Sequence, residues 1–176
     1  MSRSLICILM LGFFSSSFGR LVKTWTHDEL TTAADAIVVI EAVSTEKSDI
    51  APPFASKDLP RENYQAWITT FKVLTSFKGA AALDKPLQIL HFTYSEKINV
   101  VINGACFVKF AIGPLERSTT TTENGVGKGT RTSYKLNPVW LAYLKHREDG
   151  RFEPATDQYD TAPSFMELNR MEQAFR

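Results

Sequence analysis

The residues able to do chemistry in this chain are few: three histidines, one of them beside two acids, two cysteines, and one glycine-rich loop holding a lysine. His27-Asp28-Glu29 carries metal-ligating and proton-transferring atoms, but neighbours on a helix point in different directions. Thr26 and Glu29 stand at the spacing of a capping box, which already accounts for the glutamate. His27, His91 and His146 have none of the paired spacing of zinc sites, so no metal and no cofactor is expected. Cys106 would be a nucleophile only with a base to lower its pKa. It shares parity with Val108, Phe110 and Ile112, an apolar set, so a buried, inert thiol is expected. Gly125-Val126-Gly127-Lys128-Gly129-Thr130 lacks the spacing of a phosphate-binding loop and a following helix pattern. It reads as a connector in which Lys128 and Arg131 are placed to touch a partner. An acid–base pair drawn from Asp28, Glu41 and His91 would need the fold to bring them together. Trp67, Tyr94, Trp140 and Tyr143 could stack on bases or sugars wherever their faces are exposed. The partner-binding candidates are therefore Lys128, Arg131, Trp140 and Tyr143, and no catalytic residue is assigned.

These groups sit in a chain of 176 residues, 44% hydrophobic and 22% charged, the make-up of one globular domain. Twenty basic residues face 19 acidic ones, so no strong field draws the chain to nucleic acid or anionic lipid. Residues 1–19 follow the layout of a secretory signal peptide: Arg3, the apolar run Leu5 to Phe14, then small residues to Gly19. That run is too short to span a membrane, and Cys7 lies inside it rather than at its end, against a lipid anchor. The expectation is an exported protein, periplasmic or extracellular, whose single domain covers 20–176. Loss of the leader removes Arg3 and Cys7, leaving 19 basic residues against 19 acidic ones and Cys106 as the one thiol. Such a domain holds together by its core and not by disulfides.

The elements that must position the side chains are mostly strands. A short helix from the Thr26 cap to about Ala34 is predicted, with Trp25 and Leu30 as a hydrophobic staple. Ala36 to Val43 is short and β-branched, a strand covered on both faces. Ser48 to Glu62 carries three prolines and reads as a loop. Tyr64 to Phe77 is a long strand ended by Lys78-Gly79, and Leu87 to Tyr94 alternates as another. Asn103-Gly104 predicts a tight turn joining Ile98 to Ile102 with Ala105 to Ile112 as a hairpin. Glu116 to Thr132 is polar and predicts an exposed, mobile excursion. Pro138 to Lys145 and Arg151 to Ala155 read as strands around a turn. Phe165, Leu168 and Met171 lie at helical spacing and predict a C-terminal helix or turn. Together these give a mainly β fold, a small antiparallel barrel, with a β-sandwich as the competing architecture.

The order of Ala34 to Val43, Thr70-Phe71-Lys72-Val73-Leu74 and Phe77-Lys78-Gly79 resembles the netrin-like module of tissue inhibitors of metalloproteinases, which are OB-like barrels. The chain is also similar to a group of short exported bacterial proteins through those segments, the Asn-Gly before a strand, and the tail Trp140 to Asp160. The resemblance implies a fold more than an activity. The inhibitors chelate zinc through an N-terminal cysteine, and no cysteine lies near Arg20, so that chemistry carries over to no residue here. The expected function is a non-enzymatic module that engages an exported protein partner through the open side of the barrel. A protease inhibitor acting by another contact and an enzyme with a cryptic acid–base site are the alternatives.

Overall fold

The computed structural model describes residues 23–55, 60–79, 85–96, 106–122 and 129–168, over 117–122 and 129–135 the backbone alone. The signal-peptide segment, the Asn103-Gly104 turn and the Ile98 to Ile102 strand lie outside the described residues. Local chemistry starts the fold where the capping box predicts it. In helix α1 (His27–Ala33) the Glu29 amide donates to Thr26 Oγ1 at 3.2 Å and the Thr26 amide to Glu29 Oε2 at 2.9 Å. The helix has no basic residue in its last turn. Lys78 supplies the charge from elsewhere, its ammonium donating to the Thr31 and Ala34 carbonyls at 2.7 and 2.6 Å. Leu30 buries against Ile37, Tyr143 and Ala155, with Trp25 packed alongside.

The strands are β1 (Ala36–Ser48), β2 (Tyr64–Lys78), β3 (Leu87–Tyr94), β4 (Leu115–Thr122), β5 (Gly129–Leu136), β6 (Val139–His146), β7 (Phe152–Pro154) and β8 (Phe165–Glu167). Hydrogen bonding runs β1-β2-β3-β7-β6, and β6 pairs back with β1. The sheet thus closes as a five-stranded barrel, which excludes the sandwich. Every pairing is antiparallel except β3 with β7, a parallel contact at Ile89 and Phe152. β7 and β8 lie along one edge of β6, β7 against Leu144 to His146 and β8 against Trp140 to Ala142. Inside, Ala36, Val38, Ile40, Phe71, Val73, Ile89 and Leu144 form the core. Outside, a second apolar cluster covers β2 and β3, where Ile50, Phe54, Ile68 and Phe107 pack on Ala66, Leu90 and Phe92.

β1 ends its turn from the helix beside Gly79, whose φ is +81° and whose position would drive a Cβ to 2.5 Å from the Asp35 carbonyl. Only glycine fits both demands. The tail Trp140 to Asp160 is structural. Arg147 bonds Glu153 at 2.6 Å and Asp149 at 3.2 Å. The Arg151 guanidinium holds the Asp149 carboxyl down at about 2. Gln158 ties Glu153 to the Leu90 carbonyl of β3, at 3.0 and 3.2 Å.

Three expectations need correction. The polar stretch Glu116 to Thr132 is not one excursion: β4 and β5 pair as a separate two-stranded ladder from Leu115↔Leu136 to Thr122↔Gly129. Its threonines are β-branched, and that preference for extended backbone prevails over their polarity. Cys106 to Ile112 is not a strand. Its backbone is taken by the tail instead: the Cys106 amide donates to Asp160 Oδ1, the Val108 amide to Thr161 Oγ1, and Ala162 N–H to the Cys106 carbonyl. Side-chain acceptors of this kind compete with a sheet ladder. Alternation therefore fails there. Phe110 is buried, but Ile112 and Cys106 are exposed, so the thiol is not the buried group that parity predicts. Of the residues at helical spacing, Phe165 lies in β8 after a 3₁₀ turn at Ala162–Ser164, ahead of the predicted helix, Leu168 is helical, and Met171 lies outside the described residues.

Candidate functional site

One irregularity in β1 shapes the open end of the barrel. The register with β2 passes from Ala42↔Phe71 to Ser44↔Thr70, leaving Val43 as a bulge. Before it the even residues of β1 face inward; after it the odd ones do, so Ala42 and Thr45 both point into the barrel across from Phe71 and Thr69. A bulge is a common device for re-aiming side chains. Thr45 and Lys47 of β1, Gln65, Trp67 and Thr69 of β2, and His91 and Thr93 of β3 consequently line one cleft of about 490 Å³. Tyr94, Glu62, Glu96 and Lys109 stand around it, and Phe110 closes its inner side.

A polar chain crosses its floor. Thr45 Oγ1 and Thr69 Oγ1 are 2.8 Å apart, and Thr69 Oγ1 is 2.8 Å from His91 Nε2. Both Thr69 and His91 are buried, and His91 Nδ1 has no hydrogen-bond partner. Burial holds the imidazole down at about 4, so the ring is neutral at ordinary pH. Phe110 meets it edge-on at 4.9 Å and makes the same kind of contact with Phe71, Trp140 and Phe165. The plug is therefore aromatic, and the floor above it is polar.

Trp67 forms the wall. It is half-buried, and its indole N–H is committed to Thr93 Oγ1 at 2.8 Å, leaving the ring face as its remaining recognition surface. Lys47 Nζ lies 5.6 Å from the ring centroid, near the outer limit of a cation–π contact. Outside Trp67 the rings of Phe54, Tyr64, Tyr94, Phe107 and Tyr159 meet one another at 5.0 to 6.2 Å between centroids. Burial, with the Tyr159 and Tyr94 hydroxyls adding to it, pushes Tyr64 up to about 12.

The residues singled out from sequence fall elsewhere. Tyr143 is buried, its hydroxyl 2.7 Å from His27 Nδ1, so it has no face for a partner. Trp140 is half-buried and packs inward on the barrel core. Arg131 belongs to β5, in the separate ladder, and Lys128 lies outside the described residues. Asp28, Glu41 and His91 do not meet: Asp28 is in the first turn of α1, Glu41 accepts a hydrogen bond from Asn137, and His91 bonds Thr69 within the barrel. Among the described residues no three histidine, cysteine or acidic side chains come together to hold a metal ion. Of the four aromatic candidates, Trp67 and Tyr94 are the two that line the cleft. Thr45, Lys47 and Thr69 were missed: the strand predicted for β1 stops at Val43, short of Thr45 and Lys47, and Thr69 shares the parity of Trp67 and Phe71 on a β2 face that reads from sequence as core.

Compared with known proteins, the chain matches no family model, no curated protein and no solved structure. The fold and the cleft describe a small closed β-barrel with an aromatic wall and a polar floor at one end.

Proposed function

We propose that this protein is a non-enzymatic binding module that takes its partner at the open end of the barrel. The observation that carries the proposal is the cleft itself, a concave site in the size range of ligand pockets, roughly 300–1,000 Å³, with an aromatic wall and a few polar groups. Its polar groups are hydroxyls, a neutral imidazole, two lysines and two glutamates, an arrangement suited to holding a polar partner. Within an exported protein, the reading from the leader at residues 1–19, the natural partner is a periplasmic or extracellular protein presenting a complementary group to the cleft. What supports an OB-like, netrin-like type of barrel is the strand order, a closed β1-β2-β3-β7-β6 ring with one parallel contact. No group in the cleft suggests the zinc chelation of the metalloproteinase inhibitors.

The test fills the cleft from Thr45, at the exposed end of its polar floor. Thr45→Trp places a large ring at an exposed position and leaves the apolar core alone. The full-length wild type and this variant, matched by circular dichroism, are each used to capture proteins from a cell-envelope extract. A protein retained by the wild type and lost by the variant supports the reading. Equal capture by both overturns it.

A further inference from the structure

We infer that the group bound in the cleft is an uncharged sugar unit, stacked on Trp67; the inference rests on the cleft being the binding site. Four features of the cleft narrow the ligand. First, the indole N–H of Trp67 is spent on Thr93, so the ring offers a flat apolar face and no donor. A ligand that uses it needs a flat or weakly polar face of its own, which a pyranose has in its axial C–H groups. Second, the charges around the opening cancel: Lys47 and Lys109 against Glu62 and Glu96. A cleft without net field gives no advantage to a phosphate, a sulfate or a nucleic acid strand, each of which calls for uncompensated cations. Third, β2 is hydrogen-bonded on both sides along the cleft, to β1 from Ala66 to Phe71 and to β3 from Tyr64 to Phe71. Its backbone has no edge left for an extended peptide, so recognition by this wall falls to side chains.

Fourth, the Gln65 amide donates to the Ser48 and Ala66 carbonyls, and the Thr93 hydroxyl accepts from Trp67 and donates to the Tyr94 carbonyl, so the groups that remain are the exposed Thr45 hydroxyl, carboxylates and ammoniums. Each donates to or accepts from alcohol groups, and the carboxylates of Glu62 and Glu96 can take two neighbouring hydroxyls at once. An aromatic face beside such groups is complementary to a molecule that is apolar on its ring faces and hydroxylated around its edge. Neither an acidic nor a purely apolar ligand meets both conditions. The same chemistry reaches the cleft from two sources, a free oligosaccharide or a glycan carried by a protein or polymer.

The test uses full-length protein and defined probes: maltotriose, cellotriose and N,N′,N″-triacetylchitotriose as neutral sugars, a sulfated heparin trisaccharide, and an unmodified alanine-rich peptide. Binding is followed by the indole N–H resonances, which report Trp25, Trp67 and Trp140 separately. The expected result is saturable binding of at least one neutral trisaccharide, with the Trp67 signal moving and those of Trp25 and Trp140 staying. Trp67→Ala should weaken it about tenfold or more, while Trp67→Phe, which keeps a ring, retains most of it. The resonance readout needs no variant, so the result stands even if Trp67→Ala does not fold. A protein bearing the same sugar, tested before and after enzymatic deglycosylation, separates the two sources. Movement of the Trp67 signal by the peptide or the sulfated sugar, with none by the neutral sugars, overturns the sugar assignment and leaves the cleft as a binding site. No shift with any probe up to about 10 mM, a concentration that would reveal even millimolar affinity, overturns the assignment; protein capture sensitive to Thr45→Trp would then still stand apart from it.

Discussion

His91 shows how one buried side chain ties the chemistry of the cleft to stability. The folded protein holds its pKa down at about 4, against 6.5 for an ordinary histidine, because burial penalises the charged ring. Above pH 6.5 neither state carries the proton, and the full stability is present. As pH falls from 6.5 to 4 the unfolded chain binds a proton that the folded chain refuses, and stability drops by about 3 kcal/mol over that window. Urea unfolding at pH 7 and pH 4 should show this loss, and His91→Leu should flatten the slope between the two. The same position has a partner-dependent cost. Thr69→Val removes the hydroxyl between Thr45 and His91, leaving a second imidazole nitrogen unpaired, and is expected to cost about 1–3 kcal/mol in a thermal melt. Cys106 makes a contrasting case. Its side chain is exposed, so iodoacetamide should modify it in the native protein without denaturant, as read by mass spectrometry. A thiol on an alternating, core-facing strand would resist that reagent.

At the scale of elements, irregularities decide more than the regular strands do. The Val43 bulge selects which β1 residues face the cleft, and Gly79 fixes how β2 leaves the helix–strand corner at Asp35 and Ala36. Gly79→Ala sets a side chain in left-handed backbone and against the Asp35 carbonyl. A loss of about 2 kcal/mol, or about 5 °C in Tm, is expected from differential scanning calorimetry. The β1–β2 and β2–β3 strands were legible as periodicity: Ala36 to Val43 and Tyr64 to Phe77 are neighbouring extended segments, as their patterns predict. Alternation from Cys106 to Ile112 misled because that pattern carries no information about which acceptors the backbone meets. Asp160 and Thr161, more than fifty residues later in the chain, supply them. In β4 and β5, a polar composition concealed a two-stranded ladder.

Across the whole molecule, the barrel closes at its weakest seam. β3 meets β7 through one parallel pair, and Gln158 with Glu153 and Arg147 braces that junction. The β1–β2 ladder has eleven paired positions, so it should be the last region to open. Native-state hydrogen exchange should show the amides of β7 exchanging well before those of β1 and β2, and Gln158→Leu should widen the gap. The amino-acid order alone determined the capped helix, the long apolar strands, the glycine at the β2 end and the neutral charge balance, because each depends on neighbours a few residues apart. It also marked Trp67 and Tyr94 as rings able to stack. Tertiary structure decided which rings face an opening, which β1 residues line it, and where His91 and Cys106 stand with respect to water. Those outcomes follow from ring closure and a one-residue bulge, which bring residues distant in the chain into contact and reverse a face without changing any local pattern.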